Sequence, residues 1–285
     1  MENAKRFVLV GVDGAPEGQL ALRWAVDAAD RRQAAVRVVR SYLSELSQWP
    51  ATGAEGYLSE PPPIEKYQAE LDAAVDYVRD RLGYENGSGW LTEQRAADAI
   101  LTEAAEAELV VVGTKSRSKL SAAVLGSVAT AVTAKSPRPV VVVRGDRRTG
   151  PVLVGTDGSP DSDEALKFGF EEADKTGTAL DVAYCWHPQD RHGTPIASAR
   201  KALQDWLAES LTPYGEQYPS VVVQASVVEG RAAQRLTELT STASLAVVGS
   251  RGRGGVAGLL LGSVSQSLLH HADCPVAVVR HPKEK

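Results

Sequence analysis

The sequence predicts an α/β protein built from two tandem doubly wound domains, each a parallel sheet with helices on both faces. Three observations predict it. The 285-residue chain contains a long internal repeat. Each half alternates short, continuous apolar runs with longer amphipathic stretches. The glycine-rich motifs fall where those apolar runs end, at the carboxyl ends of parallel strands, where such sheets bind ligands.

The repeat sets the architecture. Val8-Leu9-Val10-Gly11-Val12-Asp13-Gly14 returns as Val152-Leu153-Val154-Gly155-Thr156-Asp157-Gly158, an offset of 144 residues. The register holds through Pro16 and Pro160, Ala21-Leu22 and Ala165-Leu166, and Ala29-Asp30 and Ala173-Asp174. Farther on, Val112-Gly113 answers Val248-Gly249, and Leu125-Gly126-Ser127-Val128 answers Leu261-Gly262-Ser263-Val264, now at 136 residues. A period this long is a duplicated domain, not a solenoid. The polar stretch from Gly145 to Gly150 reads as the linker, so the domains are expected over residues 1–145 and 151–285.

In the first half the runs Phe7 to Val12, Val36 to Val39, Leu109 to Val112 and Val140 to Val143 read as strands buried on both faces. Glu17 to Arg32 and Ala96 to Glu106 read as covering helices, with Pro16 and Pro160 at helix starts, where a missing N–H costs nothing. The second half repeats the pattern with Val152 to Val154, Leu180 to Ala183, Val221 to Val228, Leu245 to Val248 and Val276 to Val279. The third strand of the first half is the weakest element, because Gly83 to Leu91 is rich in glycine and poor in β-branched residues. Ser44 to Pro63 reads as an extended loop, with Trp49 and Tyr57 as loop-packing aromatics.

Composition excludes several functions. A net charge of −5 supplies no global field to hold a nucleic-acid backbone. Two cysteines, Cys185 and Cys274, suit free thiols in a reducing cytoplasm. Neither a Cys/His cluster at zinc spacing nor an HExxH helix occurs among the five histidines. The apolar run Phe7 to Val12 is too short for a signal peptide or a membrane span.

The informative constellation lies beyond the strand Leu245 to Val248. Gly249-Ser250-Arg251-Gly252-Arg253 is followed by Gly262-Ser263-Val264, which opens a helical stretch ending at His271. Glycines after a strand allow positive φ and let backbone N–H groups approach an anion. A helix start with a serine hydroxyl adds donors and a favourable dipole. Across the crevice, Gly155 and Asp157 end the first strand of this half, and the carboxylate is placed to accept hydrogen bonds from a ribose or a base. The plainer alternative has the glycines turning a loop and Ser263 capping a helix.

The runs VLVGTDGSPDS, AVVGSRGRGG, LLLGSVSQSLL and CPVAVVR resemble the universal stress protein family, twice over and across nearly the whole chain. The resemblance implies two five-stranded parallel sheets of order 3-2-1-4-5. Its nucleotide-binding branch carries G-x2-G-x9-G-[ST], which Gly249, Gly252, Gly262 and Ser263 match. It further implies ATP binding, with magnesium as a candidate companion ion and Asp157 at the adenosine end. Pairing through the last strands, Val140 to Val143 with Val276 to Val279, and a homodimer on top of that pseudo-dimer are also implied. The first half keeps Gly11, Asp13, Gly113, Gly126 and Ser127 but has Ser116 in place of the second glycine, followed by Arg117-Ser118-Lys119-Leu120. A degenerate, weaker site is expected there.

Other nucleotide motifs fit poorly. Gly252 to Ala257 matches G-x-G-x-x-A by letter but not at a strand-to-helix turn, and no P-loop string exists. The glycine loop contains no acid or histidine to position water, so binding with at most slow ATP turnover is expected. An interaction scaffold with vestigial pockets is the third reading. His270-His271 suits a helix C-terminus, Cys274 a packed position, and Cys185, at the end of a strand, a place on the pocket wall.

Overall fold

A computed structural model describes residues 6–42, 63–114, 125–145, 149–187, 195–254 and 260–282. Trp49, Tyr57 and the Ser116 to Leu120 loop lie outside the described residues. The described residues form two compact units, 6–114 with 126–138, and 139–282. No helix among them is long and apolar enough to cross a membrane.

In unit one, β1 (Phe7–Val12), β2 (Ala35–Ser41), β3 (Gly87–Thr92) and β4 (Leu109–Gly113) are parallel in the order β3-β2-β1-β4. Helices α1 (Pro16–Arg32), α2 (Ile64–Leu82), α3 (Ala96–Ala104) and α4 (Ser127–Lys135) complete the unit. The apolar run of β1 is buried on both faces, as a strand covered by helices requires. Pro16 opens α1, whose stripe Ala21, Leu22, Ala25, Val26, Ala28 and Ala29 is buried, and Gln33 closes it in the left-handed region at φ 50°. The glycine-rich segment does form a strand: a Cβ at Gly89 would stand 2.6 Å from a Val75 methyl and 2.9 Å from Leu71, so α2 packs directly on the bare backbone.

Unit two contains β5 (Val140–Val143), β6 (Val152–Thr156), β7 (Leu180–Trp186), β8 (Val223–Glu229), β9 (Leu245–Gly249) and β10 (Val276–Val279), with α5 (Pro160–Thr176), α6 (Ile196–Gln217), α7 (Ala232–Leu239) and α8 (Ser263–His271). The order is β8-β7-β6-β9-β10-β5, parallel except for the last pair. The repeat is exact at the level of register: Val8 faces Val36 and Leu109, while Val152 faces Leu180 and Leu245. The strand order implied for the second repeat is thus observed. So is the antiparallel pairing of last strands, with Val276 opposite Val142. Arg144, 6% exposed, follows β5 and donates to the carbonyls of Ala272, at 2.7 Å, and Leu269, tying β5 to the end of α8.

Because β6 lies between β7 and β9, the chain leaves it toward both sides. A crevice opens at the carboxyl ends of β6 and β9, the topological switch point.

Candidate functional site

A cavity of about 290 Å³ occupies that crevice. Gly155, Thr156 and Asp157 line it from the end of β6, Gly249, Arg251 and Gly252 from the loop after β9, and Gly262, Ser263 and Val264 from the start of α8. Its apolar wall comprises Cys185 at the end of β7, Ala232 and Leu236 on α7, and Val248. Residues from three strand ends and two helices therefore converge, though they are widely spaced in sequence. Sequence reasoning did not find Ala232 or Leu236, because a helix of ordinary amphipathic pattern carries no sign of what its buried face meets.

Asp157 organises the near side. Its Oδ1 accepts the Ser159 N–H at 3.0 Å, a local turn, and its Oδ2 accepts the Arg253 N–H at 2.8 Å from the glycine loop. Burial pushes this carboxyl up, but hydrogen bonds from Ser159, Arg253 and Ser162 outweigh burial and hold it below the usual aspartate value. The group is a carboxylate that keeps free lone pairs for a ligand. Ser159 also caps α5 by accepting the Ser162 N–H at 3.3 Å.

The glycines act through space and not through handedness. Positive φ occurs at neither Gly249, Gly252 nor Gly262, which corrects the expectation for this loop. A Cβ at Gly249 would lie 2.8 Å from the Asp161 carbonyl carbon, and one at Gly252 would overlap Asp157 Oδ2. At Gly262 the nearest atom would be 3.4 Å away, an ordinary contact, so crowding within the chain does not demand glycine there. Gly158, by contrast, has φ 73°.

Two residues of the motif run face elsewhere. Ser250 is fully buried behind the loop; its N–H donates to Val279 O at 2.7 Å and its hydroxyl to Asp161 Oδ2 at 2.6 Å. Arg253 anchors Asp157 through its backbone, while its guanidinium lies 5.8 Å from the Trp206 ring centre on α6. Trp206 in turn meets Tyr184 edge-on at 5.2 Å. Cys185 lies on the wall as a neutral thiol, its pKa pushed up to about 11 by burial against a smaller opposing pull from Arg235. Among the described residues no group of three or more His, Cys, Asp or Glu could hold a metal ion.

Unit one preserves the frame. A Cβ at Gly11 would meet Ile100 at 2.6 Å, as one at Gly155 would meet Leu236, and Gly113 abuts the Glu17 carbonyl as Gly249 abuts Asp161. Gly126 precedes Ser127 at the start of α4. Asp13 is exposed, with Oδ1 accepting the Ala15 N–H at 3.1 Å. The covering pair is different. Where unit two sets Trp206 and Tyr184, the matching positions hold Glu70 and Arg40, joined at 2.8 Å and 3.0 Å, with Arg40 buried.

The sequence profile of the universal stress protein family matches residues 6–144 and again 149–280. The chain belongs to the universal stress protein family. The universal stress protein Rv2005c of Mycobacterium tuberculosis is 32% identical over 290 residues, covering 96% of each chain. A relative from Mycolicibacterium smegmatis is 34% identical over 285 residues, with the same coverage. A solved universal stress protein from Archaeoglobus fulgidus superposes with a TM-score of 0.66 at 17% identity, over 98% of this chain and 97% of that one, which shows the shared fold. As a tandem universal stress protein, this chain carries one family repeat in each half.

Proposed function

We propose that unit two of this universal stress protein binds an adenine nucleotide, ATP in the first instance, and that occupancy biases contacts with partners. One observation carries the reading: a single cavity joins an apolar wall, a carboxylate and a helix N-terminus. The wall of Cys185, Ala232, Leu236 and Val248 suits the base, and Asp157 suits the ribose hydroxyls. The first turn of α8 suits phosphate, because its N–H groups have no intrahelical partner and Ser263 adds a hydroxyl. Within the glycine loop, the amides of Ser250, Arg251 and Arg253 are engaged by Val279, Asp161 and Asp157. Among the described residues, that leaves the amides of Gly252, Gly254 and the first turn of α8 to meet the anion. A magnesium ion here would draw its ligands from phosphate and water.

The cation-lined ring pair of unit two and the Glu70–Arg40 pair of unit one support assigning the main site to unit two. The test is mass spectrometry of nucleotide released from purified protein, followed by calorimetry for stoichiometry. About one ATP per chain is expected. Absence of both copurifying nucleotide and thermal stabilisation by ATP would favour the scaffold alternative, and two equal sites would overturn the ranking of the units.

A further inference from the structure

Behind the glycine loop stands a carboxylate that the G-x2-G-x9-G-S motif does not contain. Asp161 lies in the first turn of α5, where an acid is ordinarily a partner for the helix dipole. Here it is 8% exposed, and its oxygens point to other elements. Oδ2 accepts the Ser250 hydroxyl at 2.6 Å and the Arg251 N–H at 3.0 Å, and Oδ1 accepts the His281 N–H at 3.0 Å. Ser250 is the node of this arrangement. Its carbonyl accepts the Gly262 N–H at 2.8 Å and the Ser265 hydroxyl at 3.0 Å, so both ends of the loop and the exit of β10 meet at one place.

We propose that Asp161 is the positioning residue of the phosphate loop, holding Ser250 and Arg251 so that Arg251 and Gly252 line the cavity in one conformation, and coupling the loop to the segment after β10. The proposal rests on the nucleotide reading for its ligand but not for its geometry. A buried carboxylate with three donors from two segments is a strong constraint, since each hydrogen bond to a charge is worth more than a neutral one. Asparagine cannot replace it. With one acceptor oxygen and one NH2 group, it must set a donor against either the Ser250–Arg251 pair or the His281 N–H.

The test compares wild type, Asp161→Asn and Ser250→Ala by hydrogen exchange and by titration with ATP and with adenosine. In Asp161→Asn, exchange at the Arg251 and His281 amides is expected to rise together. ATP affinity is expected to fall about tenfold or more, while adenosine, which does not reach the phosphate loop, stays within about twofold. Ser250→Ala, which removes one donor and leaves the Arg251 amide bonded, is expected to shift in the same direction by less, and serves if the first variant does not fold. Unchanged exchange at both amides, or equal losses for ATP and adenosine, would overturn the proposal. If wild type binds neither ligand, the nucleotide reading fails while the exchange comparison still decides the role of Asp161.

Discussion

Alanine at Gly252 tests the site where two separate segments touch. The new methyl would overlap Asp157 Oδ2, the atom that accepts the Arg253 N–H at 2.8 Å. Because φ at Gly252 is not positive, the substitution adds no backbone strain, and the effect is the collision alone. Relieving it means turning the carboxylate away or lifting the loop, and either breaks a charge-assisted hydrogen bond worth about 1.5 to 3 kcal/mol. Expressed in binding, that is a rise in Kd of about ten- to a hundredfold for ATP. Calorimetry on Gly252→Ala and on Gly215→Ala reads it, the second being the control because Gly215 lies on α6 outside the cavity and a Cβ there meets nothing within 4 Å. Wild-type affinity in Gly252→Ala, or an equal loss in Gly215→Ala, refutes the reasoning. The same bond sets a pH dependence. A carboxyl whose pKa is depressed on folding stabilises the protein above its unfolded value, about 3.9, and that stabilisation is lost as pH falls through the folded value. Gly252→Ala has less of it to lose, so its unfolding midpoint should approach that of wild type as pH falls below about 4.

Two further outcomes are expected. Arg144→Met leaves the Ala272 and Leu269 carbonyls without their buried donor, and a loss of about 2 kcal/mol, seen as an unfolding midpoint lower by about 4 °C or more, is expected by calorimetric scanning; an unchanged midpoint would remove Arg144 from the account of how β5 is held. Cys185, with its thiol near pKa 11, is about a thousandth thiolate at pH 8 and should react with iodoacetamide far more slowly than a free cysteine, more slowly still with ATP present; rapid labelling under both conditions would place the thiol outside the pocket wall.

Most strands were legible from sequence because a strand covered on both faces has no solvent side to encode. Val140–Val143 is apolar at every position and fully buried, and the duplicated runs of β1 and β6 carry the same signature. The repeat itself anticipated the matching registers of the first two strands of each half, since residues 8 and 36 return at one offset as 152 and 180. β3 was obscure for a physical reason: Gly87 and Gly89 lack side chains so that α2 can approach, and a requirement for absent atoms leaves no β-forming residue to read. The pocket shows the same division. Gly249, Gly252, Gly262, Ser263 and Asp157 were visible as a spaced motif, but the reason for two of the glycines was not; handedness was the local explanation, and crowding against Asp161 and Asp157 is the tertiary one. Asp161 marks the limit most clearly. Its partners Ser250, Arg251 and His281 lie 89, 90 and 120 positions away, and two of the three offer only a backbone N–H. Every residue but proline has that group, so no side-chain pattern announces it. The one-dimensional pattern determined the tandem α/β fold and the place where a ligand would sit, because burial and repetition act on residue type. Only the folded chain decided which amides remain for that ligand, because backbone donors are assigned by proximity alone.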